Sequence, residues 1–515
     1  MTISQSLLDL IRGKLGAFLR SLGIDPEPTP PENKPPAAPQ ERAASDAQAN
    51  HFPLLQWSKE DEFTVGNAFE GVHIFGGNGS GKTTGPGSAL LKSYFRHGFG
   101  ALVLTAKGDE CALIRRYAAE TGRAKDLVVF SPEEPWRFNF LKYEQSRPAR
   151  GAGLTENIVS LFTTVQESFE RGDGGGAQQE RYWKNALAQL VRNAVDLVLL
   201  SGETLSIPLM HDIVTSAPVS LDQLNSPAWQ GGSRTYQLLD RLTQQEGLSA
   251  RDRSTLSIVG KFWLSEFPTL PHDTRGSILS TFTTTADVFV RGTIGELFSS
   301  GLNIVPEVTF EGAILVIDLP VKAFGQVGLA AQVLWKYIWQ QAVERRDTSR
   351  NARPVALWVD EAHLFVNEHD VHFQTTARSA RCATTFLSQT LPNYYWAMGG
   401  EQKGQALTDS LMGVLQTKVF CANSDPRTNQ WAADVIGKGF QSRFNSNINR
   451  NEEGHGAVSS GASESLEYLV QPSEFLTLKK GGPANDYLVE AYVLGGGRVF
   501  NASGSTYLKT AFKQG

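Results

Sequence analysis

The residues best suited to chemistry lie in GVHIFGGNGSGKTTGPG, residues 71–87, where a glycine-rich turn precedes a lysine and two threonines. Residues 76–83 fit the pattern G-x-x-x-x-G-K-[ST], after an apolar run and before a helical pattern. Glycines let successive backbone N–H groups face a phosphate, and the start of the next helix adds a partial positive charge. The stretch therefore predicts a loop that binds the phosphates of a nucleotide.

The residue types within this loop predict separate roles. The Lys82 ammonium would reach the β- and γ-phosphates, and the Thr83 hydroxyl would be a ligand of Mg²⁺. The alternative is a glycine turn with a solvated lysine, which the flanking strand and helix patterns disfavour. The residues expected to contact the nucleotide are Gly76, Gly77, Asn78, Gly79, Ser80, Gly81, Lys82, Thr83 and Thr84.

A second candidate cluster lies in PVALWVDEAH, residues 354–363, where an apolar strand ends in two carboxylates. Open parallel sheets bind ligands at this end of their strands. We expect Asp360 to hold the metal through its water shell, and Glu361 to polarise the attacking water. Gln389 ends the next strand, ATTFLSQT, and is placed to sense the γ-phosphate. The alternatives are a solvated acidic pair and a surface glutamine.

The elements that must position these residues follow from the pattern of apolar runs. Short apolar runs alternate with helical periods, which is typical of a parallel sheet with crossover helices. Residues 151–270 lack strand signals and carry long helical periods. The predicted fold is thus α/β, with a first sheet-forming segment at 51–150, an all-helical insertion at 151–270, and a second sheet-forming segment at 271–515 that ends in a hairpin. The Ser-, Asn- and Gly-rich residues 441–465 predict a mobile loop.

The N-terminal segment has a different character. Residues 1–24 predict an amphipathic helix, because the apolar positions of 3–22 share one face. Residues 25–50 are rich in proline and alanine and predict a disordered linker. A tethered helix must cover its apolar face, so docking on a partner or a membrane surface is favoured over packing on the chain's own body.

Composition narrows the class of protein. The 515 residues carry a formal net charge of −5, so no global positive field attracts nucleic acid and any grip on it must be local. The three cysteines are far apart and lack neighbours at ligand spacing, which argues against a disulfide framework or a zinc site. No apolar run approaches the roughly 20 residues of a membrane span. The predicted location is cytoplasmic, and recruitment to the inner face of the membrane stays open.

Several of these stretches together resemble the TraG/TraD-type coupling proteins of conjugative type IV secretion, within the HerA/FtsK branch of RecA-like motors. Three features differ from the family pattern: Thr105 stands where Asp is frequent, DEAH replaces DEF, and the N-terminal helix and linker replace transmembrane helices. The similar segments are the phosphate loop, LVLTAKGDE at 102–110, FNFL at 138–141, VDEAH at 359–363 and TTFLSQT at 384–390.

The resemblance implies a RecA-like P-loop NTPase that uses ATP and Mg²⁺ and works as a homo-oligomeric ring, most often a hexamer. It further implies DNA as cargo, with a type IV secretion channel and relaxosome-type proteins as partners. Arg378 matches the arginine finger that acts in the neighbouring subunit's site, and Arg381 is the competing candidate.

These inferences support three hypotheses on function. The first is an ATP-hydrolysing ring motor that translocates DNA as a coupling protein for conjugative transfer. The second is a secretion or assembly ATPase of a type IV system with protein as its cargo. The third is a nucleotide-gated interaction module with little turnover, which Glu361, Gln389 and Arg378 argue against.

Overall fold

The computed structural model describes residues 50–147, 151–169, 177–450 and 456–514. The predicted helix at 1–24 and all but the last residue of the predicted linker lie outside the described residues. The described chain falls into two compact units. One, here called the phosphate-loop unit, contains residues 50–97 and 358–514, and the other contains residues 98–357.

Thirteen strands lie in the described residues. In chain order they are β1 (Pro53–Gln56), β2 (Glu62–Thr64), β3 (Val72–Phe75), β4 (Gly100–Leu104), β5 (Leu127–Phe130), β6 (Ile314–Ile317), β7 (Val355–Val359), β8 (Cys382–Ser388), β9 (Thr417–Cys421), β10 (Lys438–Arg450), β11 (Gly456–Tyr468), β12 (Leu488–Gly495) and β13 (Tyr507–Lys513).

The α-helices of the described residues are α1 (Val65–Phe69), α2 (Ser88–Arg96), α3 (Glu110–Glu120), α4 (Phe140–Ser146), α5 (Thr155–Phe169), α6 (Ala177–Ser201), α7 (Ile207–Thr215), α8 (Pro227–Gly232), α9 (Arg234–Gln244), α10 (Ala250–Lys261), α11 (Phe267–Thr269), α12 (His272–Val290), α13 (Gly292–Ser299), α14 (Val321–Arg345), α15 (Glu368–Ala377), α16 (Leu391–Ala397), α17 (Glu401–Val414) and α18 (Pro426–Ile436). Among them, none is long and apolar enough to cross a membrane.

The phosphate-loop unit is built on a mixed sheet with the strand order β13-β12-β9-β3-β8. Strand β3 pairs in parallel with both β8 and β9, and every residue of these three strands is buried. Strand β12 pairs antiparallel with β9 and with β13, which forms a hairpin at the place where the sequence predicts one. Because β3, β8 and β9 run the same way, the loops that follow them meet at one edge.

The unit of residues 98–357 contains three parallel strands in the order β4-β6-β5. Between β5 and β6 the described residues form helices and short helical turns, without a strand. The α/β class with mainly parallel strands, interrupted by helices, is therefore confirmed. The helices continue beyond residue 270 as far as Ser299, and the domain boundaries drawn from the sequence stay a prediction.

The prediction of a mobile loop at residues 441–465 is wrong for 441–450 and 456–465, and residues 451–455 lie outside the described residues. Strands β10 and β11 pair antiparallel, from Lys438 opposite Tyr468 to Arg450 opposite Gly456. A two-stranded ribbon needs no buried face, so its sequence lacks the alternation of apolar and polar residues by which strands are predicted. Polar composition alone therefore gave no strand signal.

Lys418, the second residue of β9, is a buried base in the sheet. Only 8% of the residue is exposed, and its ammonium donates to the Leu415 carbonyl at 2.6 Å. Burial lowers the pKa of Lys418 to about 8, because the charged form loses its hydration. Above about pH 8 the Lys418 ammonium loses its proton in the folded protein, whereas in the unfolded chain it keeps the proton up to roughly pH 10.

We expect Lys418→Met to stabilise the protein at pH 7 by up to about 3 kcal/mol, the value of the pKa difference. The free energy of unfolding of the natural protein should rise between pH 8 and 10, because the unfolded state binds more protons in this window. Chemical denaturation across this range should show the rise disappear in Lys418→Met and persist in Lys479→Met, a change at an exposed position. Equal slopes in both variants would contradict the assignment.

Candidate nucleotide site

The phosphate loop follows β3 and is fixed to the ends of its two neighbouring strands. The N–H of Gly76 donates to the Ser388 carbonyl at the end of β8, and that of Gly77 donates to the Ala422 carbonyl after β9 at 2.9 Å. Gly81 has a left-handed backbone with φ +79°, and a Cβ there would lie 3.0 Å from the Lys480 carbonyl oxygen. Only glycine combines this conformation with this close approach.

The first turn after the loop, Thr83–Gly87, is a π-turn that leads into α2. Pro86 lacks the N–H that would bond to the Lys82 carbonyl in an α-helix, and the Gly87 N–H donates to that carbonyl instead, at 2.9 Å. The proline thus sets the geometry at the point where the helix begins. Within the same turn, the Thr84 hydroxyl accepts a hydrogen bond from the side-chain amide of Gln514 at 2.5 Å.

Ser80, inside the loop, presents an unusual buried group. Its hydroxyl oxygen is buried, and it has no hydrogen-bond partner among the described residues. Buried polar groups are normally paired, so this hydroxyl keeps an unused hydrogen-bonding capacity that a polar ligand of the loop would satisfy. Phosphate oxygens fit this requirement.

The loop and β7 bring the predicted charged residues together within the phosphate-loop unit. The Thr83 hydroxyl donates to Asp360 Oδ2 at 2.7 Å, and the Glu361 N–H donates to Asp360 Oδ1 at 2.8 Å. Lys82 Nζ lies 3.9 Å from Glu361 Oε1, and both side chains are 7% exposed. A cation, a hydroxyl and two carboxylates thus lie side by side, with the three charged residues buried, although Thr83 and Asp360 are 277 positions apart in the chain.

Glu361 has a backbone conformation that is uncommon for its residue type. Its φ is +49°, in the left-handed region, which for a non-glycine residue is found mostly at turns and functional sites. The Gln389 amide donates to both carboxylate oxygens of Glu361, at 3.2 and 3.3 Å. The turn therefore places the Glu361 carboxylate at the end of β8, where Gln389 hydrogen-bonds it.

The donor set fits a hydrated Mg²⁺ ion beside a nucleotide. The Thr83 hydroxyl and the Asp360 carboxylate are adjacent oxygen ligands, the type that this hard cation prefers. Lys82 supplies a positive charge for phosphate oxygens, and in the described residues the N–H groups of Gly79 and Gly81 donate to no backbone carbonyl. These groups could hold the metal and the phosphates without rearrangement of β3 or β7.

The two candidate arginine fingers lie in different environments. The side chain of Arg378, at the end of α15, is 70% exposed and reaches Glu70 at 3.5 Å. The guanidinium of Arg381 lies over the ring of Phe69 at 5.1 Å and donates to the Asn50 side chain. Burial lowers the pKa of Arg381. Neither arginine joins the cluster around Glu361, and Arg378 is the one that projects into solvent.

His363 and Ser388 contact the site but were not predicted as functional residues. His363 Nδ1 lies 3.0 Å from Ser388 Oγ and 3.9 Å from Glu361 Oε2. His363 stands two residues after Glu361, and Ser388 immediately precedes Gln389. The signal available in the sequence was that polar residues cluster at the end of both strands, which are neighbours in the sheet.

Comparison with known proteins agrees with this arrangement. Residues 400–485 match the family model described as the type IV secretion-system coupling protein DNA-binding domain. The unbound bacterial conjugative coupling protein TrwBdeltaN70 superposes with a TM-score of 0.59 at 13% identity, covering 95% of this chain and 96% of that one. The chain has the coupling-protein fold. The predicted RecA-like P-loop architecture and the resemblance to type IV coupling proteins are confirmed.

Other solved structures with the coupling-protein fold contain nucleotides. Plasmid coupling protein TrwB in complex with ADP and Mg²⁺ matches with a TM-score of 0.55 at 13% identity, covering 90% of each chain. TrwB in complex with the ATP analogue ADPNP matches with a TM-score of 0.55 at 12% identity, over 95% of this chain and 96% of that one. The comparison with curated proteins gives no match.

Proposed function

We propose that this chain is an ATP-hydrolysing ring motor that translocates DNA as a coupling protein for conjugative type IV secretion. The observation that carries the proposal is the cluster of Lys82, Thr83, Asp360, Glu361 and Gln389, built on a coupling-protein fold. The cluster combines a phosphate-binding cation, a pair of metal ligands and a carboxylate suited to general base catalysis. TrwB, which shares the fold, binds ADP with Mg²⁺ and an ATP analogue.

The proposed roles of the residues follow from their positions. Thr83 and Asp360 hold Mg²⁺, which when bound neutralises charge on the phosphate oxygens. Lys82 turns from Glu361 to the γ-phosphate, and the Glu361 carboxylate is then free to accept a proton from the attacking water. Gln389, bonded to the same carboxylate, responds to the presence of the γ-phosphate and links the site to β8.

Arg378 is proposed to complete the site of a neighbouring subunit. Its exposed side chain can reach another protein surface by leaving Glu70, and the exchange costs little because exposed ion pairs are weak. A finger supplied across an interface requires a ring, and a hexamer is the form that the resemblance implies. Arg381, held over Phe69, is better placed to support its own subunit.

We expect Arg378→Ala to lower ATP hydrolysis by about 10³- to 10⁵-fold, the range measured for arginine fingers, without loss of ATP binding. Arg381→Ala is the matched control and should retain most of the activity. Mixing Arg378→Ala with Lys82→Ala subunits should restore part of the hydrolysis, because an intact site in the first can receive a finger from the second. Failure of the mixture to recover any activity would exclude a finger supplied in trans.

DNA as the cargo is supported by the family match of residues 400–485. The test is ATP hydrolysis by the purified chain with single-stranded DNA, with double-stranded DNA and without nucleic acid. We expect stimulation that weakens as salt rises from about 50 to 200 mM, because contacts to phosphates release counterions. The Glu361→Gln ring, recovered from cells, should also retain DNA.

The alternative proposals give different results in the same assay. A protein-secretion ATPase would be indifferent to both forms of DNA and would respond to a protein of the secretion channel. A nucleotide-gated interaction module would bind ATP and assemble without appreciable turnover. Cytoplasmic location, with recruitment to the membrane through residues 3–22, remains part of the proposal and is tested by fractionating cells that express the chain with and without these residues.

A further inference from the structure

A group of polar side chains lies directly behind Glu361. The His363 ring, 15% exposed, hydrogen-bonds Ser388 Oγ through Nδ1 at 3.0 Å, and the same nitrogen lies 3.9 Å from Glu361 Oε2, in contact with the carboxylate but beyond hydrogen-bond distance. Ser388 is fully buried at the end of β8. The next residue, Gln389, donates to the same carboxylate. The last residue of β8 and the residue after it therefore both bear on Glu361: Gln389 bonds the carboxylate directly, and Ser388 holds the His363 nitrogen that faces it.

A second layer lies beside Ser388. The Tyr394 side chain is close enough to Ser388 for the serine to influence the tyrosine pKa, and its hydroxyl lies 2.7 Å from His73 Nε2 on β3. Tyr394 and His73 are both fully buried. Burial holds the pKa of His73 well below its usual range and that of Tyr394 well above it, so both are neutral near pH 7. The polar groups from β3 to His363 thus provide orientation and no compensating charge.

The Glu361 carboxylate needs such support when a nucleotide binds. Without nucleotide its oxygens face Lys82, Gln389 and His363. Under the proposed function Lys82 moves to the γ-phosphate, which leaves Gln389 and His363 to orient the carboxylate. A misplacement of about 1 Å can reduce the rate by roughly 100-fold, so the position of this group matters more than the strength of either contact.

We propose that His363 is a positioning residue that holds the Glu361 carboxylate in its orientation for water activation and ties it to Ser388 on β8. The inference rests on the proposed ATP hydrolysis and assigns to the histidine of DEAH a role in this chain. His363 acts through Glu361, and it is not proposed to contact the nucleotide. The hydrogen bond between His363 Nδ1 and Ser388 Oγ makes Ser388 the anchor of this arrangement.

The test compares two substitutions of different chemistry at one position. His363→Phe keeps an aromatic ring and removes both nitrogens, and we expect kcat to fall by about 10- to 100-fold with little change in the KM for ATP. His363→Asn restores a hydrogen-bonding group near the Nδ1 position and should recover most of kcat. Ser388→Ala should lower kcat less than His363→Phe, and the double variant should be no slower than His363→Phe alone. His372→Phe, at an exposed position on α15, is the matched control.

Equal losses in His363→Phe and His363→Asn, or an unchanged kcat in His363→Phe, would overturn the proposal. A second readout does not depend on hydrolysis: the melting temperatures of Glu361→Gln, His363→Phe and their double variant. Because interacting side chains give non-additive effects, the two single shifts should not sum in the double variant. If the natural protein hydrolyses no ATP with any cargo, the proposed function fails. Additive shifts in melting temperature would separately refute the contact between His363 and Glu361.

Discussion

Replacing Glu361 with glutamine is expected to lower ATP hydrolysis by about 10²- to 10⁴-fold, the contribution typical of a general base. Glutamine keeps the shape and the neighbours of the glutamate but cannot accept a proton from water. Binding of ATP should persist, because Lys82 and Thr83 are unchanged and one negative charge near the phosphates is removed. Steady-state turnover and the binding of a fluorescent ATP analogue measure the two effects separately.

Glu368→Gln is the matched control for this change. Glu368 begins α15 in the same unit, is exposed, and pairs with Lys403 at 3.8 Å. Its substitution should leave turnover unchanged. Normal hydrolysis by Glu361→Gln would show that another group activates the water.

Lys82→Ala should have the second large effect, a loss of nucleotide affinity. Hydrogen bonds to charged groups contribute about 1.5–3 kcal/mol each, so losing the ammonium should raise the Kd for ATP by roughly 10- to 100-fold. Hydrolysis should fall further, because charge also develops on the phosphate oxygens in the transition state. Isothermal titration with ATP and Mg²⁺ measures the affinity, and Lys59→Ala, an exposed lysine of the same unit, is the control.

Unchanged affinity in Lys82→Ala would contradict the assignment of the phosphate loop. The substitution also leaves the Glu361 carboxylate without its nearby cation, although Gln389 and His363 remain. A fall in melting temperature without a change in Kd would mean that the lysine serves only to neutralise that buried carboxylate.

The site could be predicted from the sequence wherever local chemistry determines it. The glycines of residues 76–81 reflect a backbone that must turn tightly, and Asp360 and Glu361 end a strand buried along its whole length. These are local requirements, so they are visible in a single sequence. Parallel strands then place such ends at one edge, which is why Thr83, Asp360 and Gln389 could be predicted to meet.

Features that depend on tertiary contacts were harder to predict. The contact of His363 with Ser388 arises from packing between segments 25 residues apart, and no spacing rule encodes it. Strands β10 and β11 pair although their sequences are mostly polar, so composition indicated a loop. The exposure of Arg378 and the contact of Arg381 with Phe69, on which the proposed choice between the two arginines rests, depend on tertiary packing and could not be read from the sequence.

The distance along the chain between Thr83 and Asp360 has a consequence for synthesis. At roughly 5–20 residues per second, the ribosome needs about 15 to 55 s to translate the 277 residues that separate them. During this interval residues 98–357 emerge and can begin to form their own compact unit. The phosphate loop has by then been translated, but Asp360 and Glu361 have not. A nascent chain that is released early therefore lacks the carboxylates on which metal binding and turnover depend, so the complete site belongs only to a chain translated beyond Gln389.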